Sequence, residues 1–297
     1  KAGILLLAFV FIYRRLNNNT DLRAFEKLIS HINYLWAIVI LSAVFLLMLL
    51  NWLLEAAKWR YLAQRLSHIT LWRAIEAVFC GLTWAVFTPN RIGEYGGRVM
   101  FLPARRRIHG VFAMAVGAFG QNVITNVLGA TALMWFIWHF LHLDIWLFTG
   151  LLIIAVVFIL LMLLFYFNIR WMVSLLNSIA FLRKYHRFFD IMGRYKFADL
   201  LRIMGFCLAR FAVFSFQYYL IIHLLIPSIP AYDVMMMVFI LFFIQSALPS
   251  LDLFDIGVRT MTADYLFQYV TNERIAVMAA VSSIWLVNLI IPAIMGS

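Results

Sequence analysis

The chain has 297 residues, of which 65% are hydrophobic and 12% are charged, and its mean hydropathy is +0.94. Soluble globular domains carry about 25% charged residues, so this composition excludes a soluble globular protein and predicts an all-α membrane protein. The formal net charge of +11 comes from basic residues that flank apolar segments and form no separate domain. This pattern favours contact with anionic lipid headgroups over binding of nucleic acid.

Apolar segments follow one another along the chain. A membrane-spanning helix needs about 20 residues, so the sequence predicts a polytopic protein with about seven or eight passes in a single membrane domain, residues 1–297. In chain order the segments are Ala2–Tyr13 (short), Tyr34–Leu54, Ala74–Phe87, Val111–Phe140, Ile145–Phe167, Ile203–Ile226, Val234–Leu248, Leu253–Val270 and Ile275–Met295.

Two of these segments are interrupted. Ala74–Phe87 is too short to span alone and is followed by Pro89, and Val234–Ala247 is followed by Pro249. Proline disfavours continuation of a helix, and irregular backbone at membrane depth is tolerated only in a protein interior or a water-filled cavity. The sequence therefore predicts one or two broken or re-entrant helical hairpins.

A basic and aromatic connector occupies residues 168–202. Basic residues interleaved with aromatic ones are typical of an amphipathic segment at the membrane interface. This connector divides the chain into a first half, residues 1–167, and a second half, residues 203–297.

The distribution of basic residues also predicts orientation. Arg105–Arg107 form one basic stretch, whereas the turns at His139–Asp144 and Pro227–Asp233 contain no Lys or Arg. The positive-inside rule places the basic stretches in the cytoplasm and these turns outside. Arg14 and Arg15 conflict with this assignment if the first segment spans fully, so the orientation of the N-terminus stays open.

The first interruption, Thr88–Arg98, is rich in charge and glycine. Charge at membrane depth is costly, and guanidinium groups suit phosphate, so Arg91 and Arg98 are predicted to bind a lipid headgroup. Glu94 would pair with Arg98 four residues later or meet a cationic headgroup. An ordinary ion pair in a cytoplasmic loop is the alternative. Helix breaks or close backbone approaches are expected at Pro89, Gly93, Gly96 and Gly97.

The second interruption, Leu248–Arg259, has similar features. Asp252, Asp255 and Arg259 are its predicted lipid-binding residues, and Pro249 and Gly257 its predicted backbone breaks. Both interruptions contain a proline, an Ile-Gly pair and an acid four residues before an arginine. An inverted repeat, as in transporters with broken helices, would explain this likeness, and chance similarity is the alternative.

Further polar residues lie inside apolar segments. Arg210 is predicted either to pair with an acidic residue of the second interruption or to snorkel to the interface. His139, His142 and Asp144 are interpreted as an interfacial turn, and no metal site is predicted. A polar cavity or hydrogen bonds between helices would account for Gln121, Asn122, Asn126, Gln217 and Gln245.

At these residues the chain resembles the lysylphosphatidylglycerol synthase transmembrane family, also called flippase-like. Residues 88–98 resemble its P-x-R-x-G-E region, and Gln245–Arg259 resembles its later S-x-x-P…G-x-R region. The resemblance covers nearly the whole chain and implies an integral inner-membrane protein that binds, and can flip, a lipid with a polar or charged head.

The chain also departs from that family. Many members carry an acidic–arginine pair in the span after the first motif, where this chain has the uncharged Gly120–Val123. Headgroup specificity is therefore not transferred from the family. Synthesis of lysylphosphatidylglycerol is not expected, because the soluble aminoacyl-transferase domain of some relatives is absent.

Three classes of function remain open. A lipid-binding flippase or transporter in the cell membrane, expected to be a bacterial inner membrane, is favoured, with anionic or lipid-linked membrane lipids as partners and no cofactor. An intramembrane enzyme would use Glu94 or Asp255 as acid–base, but the sequence shows no nucleophile or metal motif beside them. An accessory membrane scaffold would use the charges only to hold the two halves together.

Overall fold

The computed structural model describes residues 30, 32–86, 88, 91–178, 191–248 and 255–296. These residues are almost entirely helical and contain no strand, so the predicted all-α fold is confirmed. Several predictions lie outside the described residues, namely those on Ala2–Tyr13, Pro89, Pro249, Asp252 and the side chain of Asp255.

The helices have the following bounds. In chain order they are α1 (Tyr34–Ala63), α2 (Leu71–Val86), α3 (Ile92–Val99), α4 (Arg107–Phe136), α5 (Ile145–Phe167), α6 (Ile169–Ser178), α7 (Phe197–Leu225), α8 (Ala231–Ala247), α9 (Asp255–Phe267), α10 (Arg274–Trp285) and α11 (Ile291–Met295). A 3-10 turn at Ala104–Arg106 precedes α4, and π-helical turns follow α4 at Ile137–Leu141 and join α10 to α11 at Leu286–Ile290.

Local sequence explains several helix starts. The Asn33 side chain accepts a hydrogen bond from the Leu35 N–H at 2.9 Å, and Asp144 accepts one from Trp146 at 2.9 Å. Both residues cap otherwise unpaired N–H groups at the first turn of a helix. The helix α5 begins at Ile145, directly after its cap Asp144, and ends at Phe167, so its predicted bounds are confirmed.

Four described segments are long and apolar enough to cross a membrane, namely Tyr34–Ala63, Ala104–Leu141, Ile145–Phe167 and Arg274–Met295. The helix α8 is apolar but has 17 residues. The helix α7 has 29 residues, which gives it a length of about 43 Å at 1.5 Å per residue. An integral membrane protein is therefore shown, and the total number of passes stays a prediction.

The helices α1 and α7 run antiparallel and pack against each other along their length. At one end, Arg65 Nη2 lies 2.6 Å from Asp199 Oδ2, and the Tyr61 hydroxyl donates to Asp199 Oδ1 at 2.7 Å. Farther along, Gln217 Nε2 donates to the Val44 carbonyl at 2.9 Å. We call the end that contains Arg65 and Asp199 the basic end.

The first interruption forms a tight helical hairpin. A Cβ added to Gly97 would lie 2.6 Å from the Gly81 Cα, and one added to Gly93 would overlap the Trp84 carbonyl. These two pairs run antiparallel, so α3 folds back along α2 and forms the predicted helical hairpin; its re-entry into the membrane stays a prediction. Gly96, by contrast, has open space beside it, so the close approach expected there is not found.

Two helical hairpins, the first formed by α2 and α3 and the second by α8 and α9, enter the bundle from opposite ends. After α3 the chain returns to the basic end, where Gly117 of α4 packs against Leu62 of α1. At the other end of α4, the Trp135 ring lies 5.5 Å from that of Tyr232, which starts α8. The ring of Tyr269, which follows α9, lies near the same end of α4. Because α8 also packs against α9, the second hairpin is inverted relative to the first, as an inverted repeat requires.

Candidate functional site

A cavity of about 480 Å³ lies inside the bundle, bounded by both hairpins and by α1, α4 and α7. From the first interruption it is lined by Arg91, Glu94 and Arg98, and from the second hairpin by Gln245 and Arg259. Two segments that lie far apart in the sequence therefore contribute charged side chains to one cavity.

Glu55 of α1 is the centre of the ion pairs in this cavity. Its Oε1 accepts a hydrogen bond from Arg98 Nη1 at 2.5 Å, and its Oε2 lies 2.7 Å from Lys58 Nζ. The same Oε2 also pairs with Arg210 Nη1. The Glu55 side chain is only 6% exposed and that of Arg98 only 3%, so these charges are held away from solvent. Glu55 thereby links α1 to α3 and α7.

Glu94 adds a second carboxylate on α3. It pairs with Arg98, as the spacing of four residues predicted, and its Oε2 lies 2.9 Å from Arg91 Nε. Arg98 is thus shared between Glu55 and Glu94. The alternative of an ordinary loop ion pair is wrong for Arg98, because this side chain is buried within the bundle.

Arg91 occupies the turn between α2 and α3 with a left-handed backbone, at φ 57°. This conformation is uncommon for a residue that carries a side chain, and such positions cluster at functional sites. The first turn of α3 is fixed by the Gly93 N–H, which donates to Thr88 Oγ1 at 2.7 Å. The backbone therefore directs Arg91 toward the same cavity.

Arg210 points into the bundle rather than toward the interface. Its Nε donates to Asn51 Oδ1 at 3.0 Å, and its guanidinium carbon lies 5.4 Å from the centre of the Trp52 ring. Snorkelling is therefore wrong, because the side chain is only 16% exposed. Its acidic partner among the described residues is Glu55. The predicted pairing with an acidic residue of the second interruption falls on side chains outside the described residues and stays a prediction.

Sequence reasoning missed the three polar residues of α1. The predicted span ends at Leu54, one residue before Glu55. The helix instead continues to Ala63. Asn51, Glu55 and Lys58 are spaced by four and three residues, so they share one helical face, and this periodicity was the available signal.

The ion pairs lie inside the bundle, away from the helix ends at the basic end. At 1.5 Å per residue, Glu55 is about 12 Å along α1 from Ala63, and Gly81, which packs against Arg98, is about 15 Å along α2 from Leu71. The cluster is therefore about two to three helical turns from these ends.

In the second hairpin, Arg259 Nη1 donates to Gln245 Oε1 at 2.8 Å. Both residues line the cavity. Gly257 is buried in the first turn of α9, and its carbonyl accepts from the Thr260 hydroxyl at 3.1 Å. The pair between Asp255 and Arg259 stays a prediction.

The predicted polar cavity is correct for some residues and wrong for others. Gln121, Asn122 and Gln245 line it. Asn126 does not, because its Nδ2 donates to the Asn122 carbonyl one turn earlier at 2.7 Å. Gln217 is fully buried and bonded to α1, as the alternative of hydrogen bonding between helices predicted. A polar residue within an apolar helix can therefore either line a cavity or form a hydrogen bond to a neighbouring helix.

The cavity has more positive than negative charge. Among the described residues, five cations (Lys58, Arg91, Arg98, Arg210 and Arg259) and two carboxylates (Glu55 and Glu94) line it, which leaves an excess of three positive charges. An anion is therefore the ligand that this arrangement stabilises.

Several lining residues also have buried donors that find no acceptor. Trp52 Nε1, Trp59 Nε1 and Arg98 Nε lack a hydrogen-bond partner among the described residues. Buried donors are normally paired, so three such groups around one cavity indicate a site for an additional acceptor.

The histidines near the far end of α4 lie in a turn, as predicted. His139 stacks on Trp135 with ring centres 5.6 Å apart, and His142 has a left-handed backbone with φ 46°. Within the part of the chain that the structure describes, no group of three His, Cys, Asp or Glu side chains could hold a metal ion.

Comparison with known proteins identifies the family. A sequence profile described as the lysylphosphatidylglycerol synthase TM region matches residues 1–296. Searches of curated proteins and of solved structures found no match. The match spans both hairpins and every residue of the cavity. The chain therefore belongs to the lysylphosphatidylglycerol synthase transmembrane region family.

Proposed function

We propose that this protein binds a phosphate-bearing membrane lipid in the cavity and moves its headgroup across the membrane without covalent chemistry. The observation that carries the proposal is a cavity inside the bundle whose described lining has five cations and two carboxylates. Buried charge in a membrane protein costs several kcal/mol unless a partner or a ligand compensates it, and it commonly marks a transport pathway.

The composition of the lining suits a lipid better than a small soluble anion. Aromatic side chains surround the ion pairs, including Trp52, Trp59, Phe211, Phe214 and Phe242. Binding sites for amphipathic ligands combine an apolar wall with a few polar groups that fix the headgroup. The cations would hold the phosphate while the aromatic wall contacts glycerol and acyl chain.

The opposed hairpins suit a transport function. In transporters with inverted repeats, the binding site lies where the broken helices of the two halves meet, and one half moves against the other. Here Arg98 comes from the first hairpin and Arg259 from the second. The sequence has no nucleotide-binding loop, so we expect movement down a lipid gradient or movement coupled to an ion.

The proposal is tested in liposomes that contain fluorescent phosphatidylglycerol. Dithionite added outside bleaches only outward-facing lipid, so transfer from the inner leaflet appears as additional bleaching. We expect wild-type protein to move the lipid and Arg210→Gln to slow it at least about tenfold, which corresponds to about 1.4 kcal/mol. The matched control is Arg106→Gln, because Arg106 is an exposed arginine outside the cavity.

Equal rates for the two variants would refute the assignment of the cavity, and no movement by the wild type above empty liposomes would refute lipid transport. A scaffold is the second candidate, because Glu55 joins α1, α3 and α7 through ion pairs. A scaffold predicts that Arg210→Gln loses thermal stability equally in phosphatidylglycerol and in phosphatidylcholine.

A further inference from the structure

Glu55 occupies the position in the cavity where an anion is best stabilised. Its two oxygens face Arg98 from α3, Arg210 from α7 and Lys58 from its own helix. One carboxylate therefore bridges two guanidinium groups that come from different helices. A phosphodiester also presents two charged oxygens, and it can bridge two guanidinium groups in the same way.

The two arginines differ in how firmly they are held. Arg98 is 3% exposed and has a second carboxylate partner in Glu94. Arg210 is 16% exposed, and its other described contacts are an amide oxygen of Asn51 and the Trp52 ring. Of the two arginines that pair with Glu55, Arg210 is therefore the more accessible to an entering anion and the one with fewer described carboxylate partners.

Two residues of the cavity lining have buried donors without a described partner. The indole N–H groups of Trp52 and Trp59 are buried without a partner among the described residues, and both residues line the cavity with Arg210. The carboxylates of Glu55 and Glu94 are already engaged by arginines. The site thus offers donors and positive charge beyond what its own acids accept.

We propose that Glu55 is a resident counter-ion, and that the phosphate of a bound lipid replaces it as the partner of Arg210. This inference rests on the proposed function, since it places a phosphate-bearing lipid in the same cavity. Without lipid, Glu55 compensates the buried guanidinium and keeps the bundle stable. When the lipid is bound, Glu55 stays paired with Arg98 and Lys58, and Arg210 pairs with the phosphate.

The exchange has a consequence for affinity. Because Glu55 competes with the ligand for Arg210, it weakens lipid binding and permits release. Removing its charge leaves Arg210 without a carboxylate in a buried place, which destabilises the empty protein. The same change should make anionic lipid bind more tightly, by a coupling of about fivefold or more.

The test compares Glu55→Gln with a matched buried acid outside the cavity. Asp264, 1% exposed, pairs with Arg274 between α9 and α10, so Asp264→Asn removes a buried carboxylate without touching the cavity. Thermal unfolding of the purified full chain is measured in micelles that contain either phosphatidylglycerol or phosphatidylcholine, together with the dissociation constant for phosphatidylglycerol.

We expect both variants to unfold at lower temperature than wild type in phosphatidylcholine. Phosphatidylglycerol should raise the unfolding temperature of Glu55→Gln by more degrees than it raises that of the wild type. It should also bind to Glu55→Gln more tightly than to the wild type. For Asp264→Asn, phosphatidylglycerol should raise the unfolding temperature by no more degrees than for the wild type. If Glu55→Gln does not accumulate, Glu55→Asp carries the same comparison, because its shorter side chain cannot reach both arginines at their present positions.

Two results would overturn the inference. One is an equal gain from phosphatidylglycerol in wild type and in the Glu55 variant, and the other is an equal rescue of Asp264→Asn. If wild type binds and moves phosphatidylglycerol but the Glu55 variant shows no extra gain, only the counter-ion role fails. If wild type does not bind that lipid, the proposed function fails as well.

Discussion

Replacement of Gly97 by alanine tests the packing that holds Arg98 in the cavity. The added Cβ would lie 2.6 Å from the Gly81 Cα, 2.9 Å from the Gly81 nitrogen and 3.1 Å from the Cys80 carbonyl oxygen. All three are backbone atoms of α2, so no side chain can rotate away. To reach a normal contact distance, α3 must move from α2 by about 1 Å.

The expected cost follows from overpacking of a close-packed contact, about 1–3 kcal/mol. For a protein of this size each kcal/mol lowers Tm by about 2–4 °C, so we expect Gly97→Ala to unfold about 2–12 °C below wild type. Because Arg98 follows Gly97, we also expect weaker binding of phosphatidylglycerol. Thermal unfolding of the purified protein and lipid titration measure the two effects.

The neighbouring glycine supplies the control. Gly96 lies on the same short helix but has no heavy atom within 4 Å of an added Cβ. Alanine is favoured over glycine inside a helix by about 1 kcal/mol, so Gly96→Ala should leave Tm unchanged or raise it. If Gly97→Ala proves as stable as Gly96→Ala, the proposed α2–α3 contact is refuted.

Two further predictions concern single contacts. Tyr166 donates its buried hydroxyl to the Leu200 carbonyl of α7 at 2.9 Å, so Tyr166→Phe should remove this one hydrogen bond between helices and lower Tm by an amount equivalent to about 0.5–1.5 kcal/mol, without changing the preference for phosphatidylglycerol over phosphatidylcholine. Arg91→Asn keeps a residue that tolerates the left-handed backbone but removes a half-exposed charge from the cavity. Affinity for phosphatidylglycerol should therefore fall by about two- to fivefold in low salt, and a loss of folding instead would contradict this interpretation.

The sequence was most informative where local chemistry decides the structure. The span Ile145–Phe167 was predicted with its actual bounds, because Asp144 caps it and nearly every residue faces outward. The helical hairpin was predicted from a short apolar run, a proline and clustered glycines, and Gly93 and Gly97 now explain it by direct backbone contact. In both α5 and the hairpin, the residues that determine the local structure lie within one or two helical turns of it.

The partners of the buried charges could not be predicted in this way. Arg98 and Arg210 meet Glu55 across 43 and 155 residues of sequence, and no local pattern encodes such distances. Glu55 stands three residues before Lys58, a spacing that is equally common for ion pairs on helix surfaces and so does not indicate burial. Gln217 and Gln121 likewise look alike in the sequence, although one bonds to α1 and the other lines the cavity.

The outward position of α5 has a consequence for the surrounding membrane. Tyr166 is the only buried residue along this helix of 23 residues, and the face that points away from α4 is exposed, so that face is available to acyl chains. Its length of about 34 Å slightly exceeds a hydrocarbon core of about 30 Å. In short-chain lipids α5 must tilt or thicken the bilayer around it, at a cost of fractions of a kcal/mol per ångström. Acyl-chain length is therefore an experimental variable in its own right whenever this protein is reconstituted.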